Sequence, residues 1–148
     1  MDREFPTTLA SKLTGISIGA LDNWDRRGIL KASVKPAGGH GVSRIYSIRD
    51  LVAISVIATL RAEQLPLRVL QRVAAFISGH TGGLSLEALA ETNIITDGHD
   101  VHAVQGDVYS LEPYRRPGRN MLLVFRIGSF LDSLLDRLAE FGLTDRAA

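Results

Sequence analysis

The chain has 148 residues, 45% of them apolar and none of them cysteine, with 17 Lys/Arg against 16 Asp/Glu for a net charge of +1. That length and apolar share can bury a core as one domain or two very small ones, and the missing cysteine excludes disulfides, thiol nucleophiles and thiolate metal sites. No apolar run reaches the ~18 residues that a bilayer-spanning helix needs, and the opening MDREFP lacks the apolar stretch of a signal peptide, so a cytoplasmic protein without a membrane partner is expected.

Thr7 or Thr8 is expected to N-cap a first helix, on which Leu9 and Leu13 share a face before Gly15 ends it. Ser17 then caps a second helix from Ile18 to about Arg26, with Leu21 and Trp24 turned inward and Asn23, Arg26 and Arg27 left outside. After Gly28, Ile29 and Leu30 read as core anchors. The stretch Lys31 to Gly41, with two lysines, one proline and three glycines, reads as a basic flap.

Tyr46 closes a short extended piece, and Ser47 with Asp50 three residues on forms a capping-box variant that starts a third helix. Leu51, Ile54, Ile57, Ala58 and Leu60 keep helical spacing, and Val52 and Val56 widen the apolar face, so this helix is expected at the buried centre. Pro66 opens a fourth helix, Leu67 to Ser78, whose Leu70, Val73, Ala74 and Ile77 repeat at i, i+3, i+4, i+7, and Gly79 stops it.

The second half changes character. After a short helix, Leu84 to Glu91, the segment Thr92 to Leu111 reads as extended pieces separated by Asp97-Gly98 and Gly106-Asp107, the first a hairpin signal. A polar loop, Glu112 to Asn120, leads to the apolar strand-length run Met121 to Ile127. Ser129 precedes a final helix with Leu131, Leu134, Leu135 and Leu138 on one side. The expected fold class is α+β: a mostly α unit over residues 1–80 and a small α+β domain over 81–148, for dimerisation, sensing or partner binding, with a β-hairpin and a final helix. Charge divides at the same place, since residues 1–80 hold 11 Lys/Arg against 6 Asp/Glu (+5) and residues 81–148 hold 6 against 10 (−4). A basic half joined to an acidic one points to a nucleic-acid module with something else attached.

Helix, tight turn, second helix and basic flap make a unit able to enter a DNA groove and clamp its flank. Leu9-Ala10, Lys12-Leu13-Thr14-Gly15, Leu21, Arg26, Gly28, Leu30, Arg44, Tyr46-Ser47 and Asp50-Leu51 resemble the MerR-type winged helix-turn-helix over about residues 5–78. The resemblance implies a sequence-specific transcriptional regulator, nucleoid-associated, that binds a two-fold related operator in double-stranded DNA as a homodimer. Each second helix would lie in the major groove and each wing beside the phosphates, with RNA polymerase as a possible partner. Where that family usually has Arg-Tyr-Tyr, this chain has Asp22-Asn23-Trp24. The wing is a few residues longer through PAGGHGVS, and the module's last helix is short for the long antiparallel coiled coil of better-known members. The front half, with Ile94 to Leu138 in outline, is also similar to antitoxins of PIN-domain ribonuclease toxins. That likeness implies the alternative: a C-terminal domain that neutralises a toxin and an N-terminal one that represses its own operon.

If the unit docks as the family does, Arg26, Arg27, Lys31, Lys35 and Arg44 contact phosphates; otherwise they are a solvated basic face. Asn23 either reads an adenine edge or is an exposed helical Asn. Ser17 and Ile18 stand at the helix start, where Ile18 offers a methyl contact. His40 lies near DNA in the wing or is simply exposed. Tyr46 packs its ring at the wing's base with its hydroxyl toward a phosphate, or is a core Tyr. His99 and His102, with Asp97, Asp100 and Asp107, carry ligand chemistry, but a strand sets i and i+3 on opposite faces and a solvated hairpin tip accounts for them. No metal or cofactor is expected. Without a Gly-x-Ser-x-Gly elbow or a phosphate-binding Gly loop, neither is an enzyme. Leu67 to Ile77, the Met121 to Ile127 strand edge and Phe130 to Phe141 are alternative dimer surfaces, although such segments are more often simply core.

Overall fold

Gly15 sets the first sharp turn. In the computed structural model, which describes residues 4–35, 44–78 and 84–142, helix α1 spans Thr7–Thr14 and ends at Gly15, whose φ of 77° and N–H bond to the Ser11 carbonyl make a left-handed cap. The Thr14 hydroxyl donates to the Ala10 carbonyl at 2.8 Å and accepts from the Ile16 N–H at 3.2 Å, which holds the short link. Ser17 then starts α2, Ile18–Arg26, its Oγ accepting the Ala20 N–H at 3.1 Å. The start of α1 departs from expectation, because Pro6 and not Thr7 or Thr8 occupies the N-cap, with no side-chain bond. Phe5–Pro6 is a two-residue strand, β1, paired antiparallel with β2, Ile45–Tyr46, and this pairing fixes where the helix can begin.

β2 also joins the two legs of the wing. Lys35 N–H donates to the Ile45 carbonyl at 3.0 Å and Ile45 N–H to the Lys35 carbonyl at 2.8 Å. The wing tip beyond them, His40 included, lies outside the described residues, as does Gly79.

Helix α3, Ile48–Ala62, begins with a complete capping box between Ser47 and Asp50. Its Leu51, Val52, Ala53, Ile54, Val56 and Ile57 are fully enclosed, and it packs against α1 and against α4, Leu67–Ile77, which buries Val69, Leu70, Val73, Ala74 and Ile77. The apolar width of α3 is thus used on several sides at once, as a central helix requires.

In the second half, Ser85 caps the short α5, Leu86–Ala90, and a three-stranded antiparallel sheet follows in the order β4-β3-β5. Its strands are β3 (Thr92–Thr96), β4 (Val101–Gln105) and β5 (Leu123–Arg126), and the Asp97-Gly98 hairpin joins the first two. The piece after Gly106 forms no strand. The apolar run Met121 to Ile127 divides: Leu123–Arg126 pair with β3, whereas Ile127 already opens α6, Ile127–Glu140. Gly128 permits this early start, since a Cβ there would stand 2.5 Å from the Ala90 carbonyl oxygen. Leu131, Leu134 and Leu138 are buried while Leu135, expected beside them, is 40% exposed, because one residue past Leu134 turns it off the stripe. Helix α6 packs on α3, and one apolar cluster runs from Phe5 through Ile54 and Ile94 to Leu138.

The hairpin turn is ordered from within rather than merely solvated. The Asp97 side chain is 2% exposed and pairs with Arg119 at 2.8 Å, while its Oδ1 accepts N–H bonds from His99 at 2.9 Å and Asp100 at 2.8 Å. Burial opposes the charged form, but the two amides and the Arg119 guanidinium outweigh it and hold the carboxyl at about 2. With the folded value below the ordinary 3.8, the carboxylate's contribution is full above about pH 4 and is lost as pH falls through about 2. Asp97→Asn is expected to lower stability by about 2 kcal/mol at neutral pH and hardly at all near pH 2. Urea unfolding at both pH values checks this, and equal losses would remove the electrostatic explanation.

Candidate nucleic-acid interface

Positions 18, 22 and 26, with 19 and 23 beside them, recur at helical spacing on the side of α2 opposite Leu21 and Trp24. Ile18 is 44% exposed and Arg26 is exposed, whereas Leu21 and Trp24 are closed to solvent. At Gly19 an added Cβ would meet only Ser17 Oγ, at 4.0 Å, so the backbone of the first turn is open to close approach. Asn23 is half-buried, and Ser17, although exposed, uses its hydroxyl as the cap. The positive end of the helix dipole lies at this turn.

The inner side and exit of α2 are locked. The Arg61 guanidinium carbon lies 5.9 Å from the centre of the Trp24 ring. Gln71 Nε2 donates to the Arg27 and Gly28 carbonyls at 3.4 Å, which ties α4 to the end of α2. Lys31 Nζ donates to the Asp25 carbonyl at 3.1 Å and stands 3.8 Å from the Asp25 carboxylate, a cation at the helix C-terminus. Arg26, Arg27 and Lys35 are exposed and pair with no carboxylate among the described residues.

Two expected phosphate contacts are turned inward. The Arg44 guanidinium is 9% exposed and bonded to Asp22 Oδ1, so its charge is already met by a carboxylate on α2. Tyr46 is 1% exposed and its hydroxyl is enclosed without a hydrogen-bond partner among the described residues, the core alternative for this side chain. Burial pushes the Tyr46 phenol up against the opposing pull of Arg44, and the carboxylates of Asp25, Asp50 and Asp22 add to the rise. Beneath them Asp50 Oδ2 accepts from Ser33 N–H at 2.8 Å and Ser33 Oγ at 2.7 Å, which fastens the start of the wing to α3.

The structure therefore gathers Ser17, Ile18, Asn23 and Arg26 on one outer stripe, Arg27 and Lys31 at its exit, and Lys35 at the wing root. Arg44 and Tyr46 stand underneath. Asp22 joins the stripe and was not singled out from the sequence as a site residue. Its spacing of one turn from Ile18 and one from Arg26 was the available signal.

Elsewhere, a cavity of about 490 Å³ is lined by Asp97, Tyr114, Arg115, Arg116 and Arg119 among others. Its arginines are balanced: Arg115 pairs with Glu112 at 3.2 Å, Arg116 with Asp100 at 4.0 Å and Arg119 with Asp97 at 2.8 Å. His102, expected beside ligand-type residues, packs on Tyr114 with ring centres 5.0 Å apart and planes inclined by 58°. Among the described residues no three His, Asp or Glu side chains are grouped to hold a metal, and no helix is long and apolar enough to cross a membrane.

Residues 6–76 match the MerR HTH family regulatory protein description. Proteins named as uncharacterized HTH-type transcriptional regulators in two strains of Mycobacterium tuberculosis and in Mycobacterium bovis are each 28% identical over 93 residues. The match covers 63% of this chain and 40% of each relative's length. Helices α1 to α4 and the paired wing root together fill the stretch that is similar to the MerR HTH family, with a helix-turn-helix at its front.

Proposed function

We propose that the protein is a sequence-specific DNA-binding transcriptional regulator that acts as a homodimer on a two-fold related operator. The observation that supports this best is the outer stripe of α2. Ile18, Gly19 and Arg26 are open to solvent on a helix whose other side is held by Leu21, Trp24 and Gln71. In such a module the second helix enters the major groove, the wing lies on the backbone, and unpaired Arg26, Arg27 and Lys35 meet phosphates. Asn23 is set to reach an adenine edge and Ile18 a thymine methyl, with Ser17 presenting the first turn. Lys31 adds charge near the helix exit. Arg44 and Tyr46 act from beneath by holding the wing root against α2. Residues 81–148 provide dimerisation or a protein partner's surface, RNA polymerase or a toxin being the candidates, and the protein works in the cytoplasm on the nucleoid without catalysing a reaction.

Selection of genomic fragments by the purified protein is expected to return one inverted repeat with half-sites about one helical turn, or a multiple of it, apart. Recovery of no enriched sequence would overturn the reading, and a lone half-site would remove the dimer. A nuclease that copurifies through residues 81–148 would move the assignment to an antitoxin that represses its own operon.

A further inference from the structure

A carboxylate in the middle of a DNA-facing helix is out of keeping with its surroundings. Asp22 stands one turn from Ile18 and one from Arg26, with its side chain 47% exposed. Left bare, it would oppose the phosphates that Arg26 and Arg27 attract. It is not bare, because the nearly enclosed Arg44 guanidinium, 9% exposed, bonds its Oδ1. The pair removes the net charge and ties one carboxylate oxygen to the guanidinium. Among the described residues, Oδ2 accepts no hydrogen bond, so the exposed part of the side chain is an acceptor without a donor.

The major groove offers one edge that is donor without an adjacent acceptor, the N4 amino group of cytosine, and carboxylates are its side-chain counterpart. Guanine O6 and N7 and thymine O4 are acceptors that a carboxylate repels, and adenine sets N7 beside its amino group. We infer that Asp22 reads a cytosine in each half-site and that Arg44 is its positioning residue. Arg44 is nearly enclosed beside Asp22, so its influence on binding runs through the orientation of that carboxylate. The inference rests on the DNA-binding reading and adds the base that one position recognises.

The test is selection from a library with a randomised half-site, run on the full chain and two variants. Wild-type protein is expected to enrich cytosine at one position about tenfold over the other bases. Asp22→Asn keeps the side-chain shape and an oxygen for Arg44 but replaces the outer oxygen with an N–H donor. Its cytosine preference should vanish in favour of a base that offers an acceptor, while urea unfolding, lower in midpoint because Arg44 loses its countercharge, stays cooperative. The double variant Asp22→Ala/Arg44→Met removes both charges and leaves no buried guanidinium unpaired. It should flatten that one position and leave the others as they were. If Asp22→Asn retains the wild-type preference at every position, the assignment of Asp22 is overturned while DNA binding stands. If wild-type protein enriches no sequence, the DNA-binding reading falls and this inference with it.

Discussion

Asp50→Ala is expected to lower the unfolding free energy by about 3 kcal/mol, a large part of what a domain of this size has. Asp50 is fully enclosed, and its Oδ2 accepts from Ser33 N–H at 2.8 Å, Ser33 Oγ at 2.7 Å and Ser47 N–H at 2.9 Å. Hydrogen bonds to a charged acceptor contribute about 1.5–3 kcal/mol each, but they do not add, and water can reach Ser33 once the carboxylate is gone. One half of the capping box at the start of α3 goes with the carboxylate, while Ser47 Oγ still accepts the N–H of residue 50. Asp50→Asn keeps an oxygen acceptor without the charge and should cost about half as much, since charge-assisted bonds are roughly twice as strong as neutral ones. Urea unfolding with an unchanged slope measures both. Amide exchange at Ser33, Lys35 and Ile45 should quicken in step, because Ser33 anchors the leg of the wing that β2 receives. A wild-type midpoint for Asp50→Ala would show that the carboxylate is replaceable and that the wing root has another anchor.

The contrast between Asp50 and Asp22 explains what could be read from the sequence. Ser17 before α2, Ser47 with Asp50 before α3, and Asp97-Gly98 between β3 and β4 are codes written within four residues, and the structure contains all three features. Leu21, Trp24, Ile29 and Leu30 followed from spacing and are buried. Other features depend on residues far apart in the chain. Two residues of β1 pair with two of β2 some forty positions later, and no local pattern distinguishes Phe5-Pro6 from a disordered lead-in. Met121 to Ile127 looks like one strand because all seven positions suit β-structure apart from Arg126. β3 offers partners only from Asn93 to Thr96, and Gly128 lets α6 begin at once. Asp50 was legible as a cap but not as the acceptor for Ser33, 17 residues before it. Arg44 was placed by its charge alone, which says nothing about Asp22 being near enough to draw it inward. Charge and helical spacing locate the outer stripe of α2, but which charges are free depends on pairings across the fold.

Arg26 and Arg27 are free in that sense, and Arg26→Ala/Arg27→Ala is expected to weaken operator binding about sixty-fold at about 0.1 M salt. Each phosphate contact contributes about 0.9 to the slope of log affinity against log salt, so the double variant should flatten that slope by about 1.8. At that salt each contact corresponds to roughly eight-fold in affinity, from which the combined loss follows. Both side chains are exposed and neither pairs with a carboxylate among the described residues. The folded state should therefore change by only about 0.5 kcal/mol or less. The Arg27 backbone is held through its carbonyl by Gln71, a bond that alanine leaves in place. Phosphates carry no sequence information, so every operator variant should weaken alike, and a fluorescence titration across salt concentrations separates this from base reading. An unchanged slope would return both arginines to a merely solvated basic face. A loss confined to sites with guanine at one position would make one of them a base reader, and cytosine recognition by Asp22 would then have a neighbour on the same stripe.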